Sequence, residues 1–166
     1  MKTLAWSGAP DPRFEIAFVE LADGRLVGRG SQLGPTYRLT YEIETDSAFI
    51  TERFLGECET SVGSKRIELR RGIELVDDTL DVDLGFSPLF NSLPVLRDRL
   101  LDGGSPREYT MAFVAVPDLG VAPAQQEYIP IGPGIVRYRA GTFVADIEFD
   151  RDGLVIDYPG LARRVG

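Results

Sequence analysis

The sequence predicts a mainly β (α+β) protein, an antiparallel sheet with one helical segment laid against it. Three observations carry that reading. Long stretches alternate apolar and polar residues with period two, Gly-containing turn signals punctuate them, and one stretch shows the three-to-four spacing of a helix. At 166 residues the chain fits one domain spanning 1–166, and no repeat, low-complexity tract or linker divides it.

Taken in order, the first strand pair is Phe14–Leu21 and Leu26–Gln32, joined at Asp23-Gly24, a dipeptide suited to the positive backbone angles of a tight hairpin. In Tyr37-Arg38-Leu39-Thr40-Tyr41-Glu42-Ile43-Glu44 every odd position is apolar or aromatic and every even one polar, so one face is buried and one wet. Ser61-Val62-Gly63-Ser64 turns the chain from Phe49–Thr60 into Arg66–Arg70. From Ser87 to Leu101 the pattern changes. Leu89, Leu93, Leu96 and Leu100 share one helix face, Ser87 is placed to cap, and Pro88 suits the first helical position. Pro94 divides that stretch into a turn or short helix followed by a second piece. Strands then follow at Tyr109–Val116, stopped by Pro117, and at Gln126–Ile131 and Ile135–Arg139, split by Gly132-Pro133-Gly134. Thr142–Asp150 alternates with Val144 as its one lapse, and Arg151-Asp152-Gly153 turns it into Leu154–Tyr158. Helices on both faces of a parallel sheet would need continuous apolar strands instead, which favours antiparallel pairing.

Composition narrows the chemistry. The balance of 18 basic against 26 acidic residues gives a net charge of −8, a field that repels phosphate backbones and anionic membranes, so no nucleic-acid partner is expected. There is no histidine, which removes the usual Ser-His-Asp and Cys-His mechanisms and most zinc, copper and haem sites. No cofactor or metal is expected. Cys58 is the single cysteine, and no stretch has the length and apolarity of a signal peptide or a membrane span, so a reducing, cytoplasmic setting is the expectation.

Two constellations could carry chemistry. In Asp77-Asp78-Thr79-Leu80-Asp81-Val82-Asp83-Leu84, Asp81 and Asp83 share a strand face about 7 Å apart. Such a pair suits a metal or acid–base work on a sugar; the plain reading is a solvated face opposite Leu80, Val82 and Leu84. The second is the aromatic set Phe14, Phe18, Tyr37, Tyr41, Tyr109, Phe113, Tyr138, Phe143, Phe149 and Tyr158, mostly on apolar strand faces. These rings either fill a core or line a concavity for an apolar ligand with phenol hydroxyls near its mouth.

Three segments carry a family likeness. They are Leu80–Pro88 with Asn91-Ser92-Leu93-Pro94; Val116-Pro117-Asp118-Leu119 with Pro123 and Gln126; and Gly153-Leu154-Val155-Ile156-Asp157-Tyr158-Pro159-Gly160-Leu161 with Arg163-Arg164. The chain resembles the putative glycolipid-binding family of bacterial proteins, with the Asp-Tyr-Pro-Gly-Leu ending the most specific piece. The resemblance implies a strongly curved antiparallel sheet, a half-barrel wrapped around the helical segment, similar to lipoprotein-carrier folds. Phe49 stands where the family usually has tryptophan, and Arg71-Gly72 replaces a longer loop. The expected function is non-enzymatic binding of a lipid-like or glycolipid-like molecule, with Arg53, Asp81, Asp83, Asn91, Tyr138 and Tyr158 at the rim. The alternatives are a hydrolase of sugars or esters using Asp81, Asp83 or Asp157, and an interaction module pairing through an open strand edge as a homodimer.

Overall fold

In the computed structural model, which describes residues 1–75 and 79–166, thirteen strands hydrogen-bond into one sheet. In chain order they are β1 (Lys2–Gly8), β2 (Phe14–Ala22), β3 (Arg25–Leu33), β4 (Tyr37–Thr45), β5 (Thr51–Thr60), β6 (Gly63–Arg70), β7 (Thr79–Leu84), β8 (Arg107–Val114), β9 (Val121–Gly132), β10 (Ile135–Ala140), β11 (Phe143–Phe149), β12 (Val155–Tyr158) and β13 (Ala162–Arg164). Their spatial order runs β6-β5-β4-β3-β2-β1-β13-β12-β11-β10-β9-β8-β7, so the C-terminal strand closes onto the N-terminal one and two meanders share one curved surface. The sheet is a large open half-barrel. Asp77 and Asp78 of the acidic run lie outside the described residues.

The alternating segments form the strands their pattern predicts, with Tyr37, Leu39, Tyr41 and Ile43 buried along β4. Asp23 and Gly24 adopt the positive φ values of 52° and 73° that the β2–β3 hairpin needs. Four features differ from expectation, among them strand β13, too short to show alternation. Strand β1 carries only a short alternation, Leu4 and Trp6 inward, too little to mark it in the sequence. Strand β9 begins five residues earlier than expected, at Val121, and carries both Pro123 and Pro130; Ile131 bulges out beside Pro130, where a donor is missing from the ladder. Among the described residues, antiparallel pairing holds at every ladder between strands but one. Strands β7 and β8 pair in parallel, which requires a crossover, and the helical segment is that crossover.

The crossover fills the concave face. It comprises a 3₁₀ turn at Pro88–Asn91, the helix α1 (Ser92–Arg97) and a second 3₁₀ turn at Leu100–Asp102. Pro94 sits in the first turn of α1, where its missing N–H leaves no helical bond unmade. Leu89 and Phe90 enter the sheet's hollow; Phe90 meets Tyr41 edge-on at 5.3 Å and Phe54 at 5.7 Å. Room for them comes from β3. Gly28 lies against Ile43 and Leu89, and a Cβ on Gly30 would stand 2.4 Å from the Tyr41 hydroxyl.

The sheet's two ends approach each other across a seam. Arg71 donates from its guanidinium to the carbonyls of Thr51, Thr79 and Leu80, and Val82 N–H donates to Thr51 Oγ1 at 3.3 Å. At the other end of β6, Lys65 Nζ donates to the Asp118 carbonyl at 3.2 Å. Among the described residues no helix is long and apolar enough to cross a membrane.

Candidate functional site

Where β7 and β8 end and β10 turns into β11, the helical plug leaves a cavity of about 380 Å³. Its walls are Leu84, Phe86, Phe113, Val116, Ala140, Phe143 and Leu161, with Asp83, Asn91, Tyr138 and Tyr158 as the main polar groups. The rings of Tyr138, Phe143 and Tyr158 stand mutually 5.9–6.2 Å apart, a three-sided aromatic cluster. Phe143, in the alternating phase of its strand, is 42% exposed because it faces this opening.

A directed hydrogen-bond chain ends on Asp83. Asn91 Nδ2 donates to the Tyr128 hydroxyl at 2.9 Å, Tyr128 donates to Gln126 Oε1 at 3.3 Å, and Gln126 Nε2 donates to Asp83 Oδ2 at 2.6 Å. Every donor in that chain points toward the carboxylate, which suits its ionised form. Burial acts the other way and raises the Asp83 carboxyl to about 6, the Gln126 bond and the nearby Asp81 being the smaller influences. Burial also pushes the Tyr138 and Tyr158 phenols up, so both remain protonated.

The loop forming one wall, residues 85–87, is anchored by a second buried carboxylate. Glu15 Oε1 accepts from the Tyr41 hydroxyl at 2.6 Å and from Ser87 Oγ at 2.7 Å. Gln32 Nε2 bridges Glu15 Oε2 at 3.3 Å and the Gly85 carbonyl at 3.2 Å, while Tyr37 donates to Gln32 Oε1. Burial raises the Glu15 carboxyl to about 7 against these three bonds. Ser87 therefore does not cap the 3₁₀ turn it precedes; its hydroxyl is turned to Glu15. On the loop itself, Phe86 holds a φ of 65° and stacks under the Arg13 guanidinium at 3.6 Å.

The six residues singled out from the sequence divide. Asp83, Asn91, Tyr138 and Tyr158 come together in the cavity. Asp81 does not join them. It is fully buried, its two oxygens 2.8 and 2.7 Å from Arg97 Nη1, so the solvated-face reading of the Asp-x-Asp strand fails. Burial raises its carboxyl and Arg97 opposes that rise. Arg53 also lies elsewhere, on the outer face of β5, bonded to Glu42, Glu44 and Glu68. Asp157 pairs with Arg163 at 3.3 Å, and no cluster of metal-ligating side chains occurs among the described residues.

Sequence reasoning missed Glu15 and Tyr128 and did not single out Gln126 for the site. A signal for Glu15 existed: it falls in the phase of Ala17 and Val19, both buried, but β2 is apolar on both phases and the carboxylate did not stand out. Phe49, with φ of 59°, lines a different concavity of about 400 Å³ with Leu96 and Gly153, beyond the opposite end of β11.

Residues 3–164 match a family model described as "Putative glycolipid-binding". A solved structure, that of a DUF1089 family protein from Pseudomonas aeruginosa, is similar in fold. The two are 24% identical with a TM-score of 0.77, covering 91% of this chain and 92% of that one. No curated protein matches the sequence. All three segments that carry the family likeness meet at the aromatic cavity: Asp83–Ser87 and Asn91 from the first, Val116 and the Asp83 partner Gln126 from the second, Tyr158 and Leu161 from the third.

Proposed function

The chain belongs to the putative glycolipid-binding family, and from that premise we propose that it binds, without catalysis, a lipid-like or glycolipid-like molecule in the cavity beneath Phe86, Phe143 and Leu161. The observation that carries the proposal is the cavity itself, about 380 Å³ and mostly apolar, within the size range of ligand sites. An acyl segment lying among Phe113, Val116, Phe143 and Leu161 gains about 0.8 kcal/mol per buried CH₂. Asp83, Asn91, Tyr138 and Tyr158 meet the polar end. The convergence of the three family segments on this one cavity supports the same reading, since the remainder of the sheet needs only generic alternation.

A hydrolytic role has one observation in its favour, the raised Asp83 carboxyl. The second carboxylate that paired-acid chemistry needs is not in the lining, because Asp81 is spent on Arg97. Binding is the stronger reading.

Native mass spectrometry of freshly purified protein, followed by calorimetric titration with alkyl glycosides, tests it. We expect co-purified or added amphiphile on the wild type. Ala140→Trp, which fills the cavity from β10, should weaken binding at least roughly tenfold while leaving the melting curve cooperative. Equal binding to both proteins would move the site elsewhere, and a wild type that ignores every amphiphile would end the proposal.

A further inference from the structure

We infer that the cavity selects its ligand by charge, taking an amphiphile whose headgroup carries a protonated amine and rejecting one that carries an anion. This rests on the reading of the cavity as an amphiphile site.

The hydrogen-bonding atoms and charge left over in the cavity set its preference. Gln126 spends one amide hydrogen on Asp83 and its oxygen on Tyr128, and Tyr128 accepts from Asn91. The donors left are the Tyr138 and Tyr158 hydroxyls and the second hydrogens of the Asn91 and Gln126 amides, and the acceptors left are Asp83 Oδ1 and the Asn91 side-chain oxygen. Neither acceptor makes a hydrogen bond among the described residues, and neither is sealed away from solvent. One of the two carries negative charge.

No lysine or arginine is among the cavity's lining residues. Asp83 has no ion-pair partner among the described residues, unlike Asp81, which Arg97 neutralises. An ammonium lying against a face of Tyr138, Phe143 or Tyr158 would gain attraction of the same sign from the ring quadrupole. An ammonium placed between Asp83 Oδ1 and Asn91 supplies donors to both acceptors and the missing positive charge. A carboxylate or phosphate there would find phenol and amide donors but would meet the like charge of Asp83, which no cation among the described residues offsets. The net charge of −8 steers cations toward the molecule but cannot choose the site.

The test compares three probes of one chain length, dodecylammonium, dodecyl glucoside and dodecanoate, each below its micellar concentration. Titrations are run near neutral pH in about 0.15 M salt, where long-range charge effects are screened. Wild type should bind dodecylammonium at least roughly tenfold tighter than dodecanoate. Asp83→Asn, which keeps the side-chain shape, should erase that preference. Glu20→Gln, the same charge change at an exposed position on β2, should keep it. In wild type alone, the ¹³C carboxyl resonance of Asp83 should shift on adding dodecylammonium, a readout that stands even if Asp83→Asn folds poorly. An anion preference, equal affinities, an unmoved Asp83 resonance, or a preference that survives Asp83→Asn overturns the charge selection and leaves amphiphile binding intact. Failure of all three probes overturns both.

Discussion

Three carboxylates inside the fold set how single residues govern stability in this chain. Glu15 sits at 3% exposure with hydrogen bonds but no cation, and its carboxyl is raised from 4.5 to about 7. Between those values the folded protein holds a proton that the unfolded chain releases, so stability falls as pH rises across that window, by on the order of 3 kcal/mol. Asp83, raised from 3.8 to about 6, adds in the same direction at lower pH. Thermal melts should therefore show a higher Tm near pH 5 than near pH 8, and Glu15→Gln should flatten the slope. A Tm that climbs with pH would refute the assignment. Burial raises Asp81 as well, to about 6, even though Arg97 lies against it. Arg97→Met would leave a buried, unpaired carboxylate and should cost about 3–5 kcal/mol in urea denaturation. Replacing both partners with Asp81→Leu and Arg97→Met should recover much of that loss, because what costs most is one charge left alone.

At the scale of elements, β3 and the seam matter most. Strand β3 accepts the plug only because Gly28 and Gly30 leave a trough, so Gly30→Ala should push Tyr41 off Glu15 and lower stability by about 1–3 kcal/mol in thermal melts. The helical segment stays in place by its apolar contacts and by the Ser87 bond to Glu15 rather than by helix propensity, α1 being six residues long. The open sheet has two ends, and Arg71 ties them through carbonyls of Thr51, Thr79 and Leu80. Arg71→Ala should speed amide exchange in β7 and the start of β5 at least roughly tenfold relative to β11, which lies far around the sheet. Uniform exchange changes would mean that the guanidinium has no local role. The free edge of β6 carries Lys65, Arg66, Glu68 and Arg70, charges that oppose edge-to-edge pairing. Light scattering should accordingly give a monomer, against the homodimer that an open edge would otherwise allow.

For the molecule as a whole, the sequence by itself determined the strand phases, most of the turns and the position of the one helical stretch. These are local properties: alternation decides which face of β4 is wet, and Asp23-Gly24 decides the hairpin within four residues. The family segments were legible too, as were Asp83, Asn91, Tyr138 and Tyr158 as residues worth watching. Only the tertiary structure decided that these four share a cavity while Arg53 faces outward and Asp81 is consumed by Arg97. Asp81 and Asp83 are two residues apart on one strand, so period-two alternation gives them the same face and cannot tell them apart. Their fates differ because α1 brings Arg97 to one, while β9 brings Gln126 and β10 and β12 bring tyrosines near the other. Whether a carboxylate is neutralised or left open to a ligand depends on what distant strands set beside it, and that is fixed by closure of the sheet around its plug.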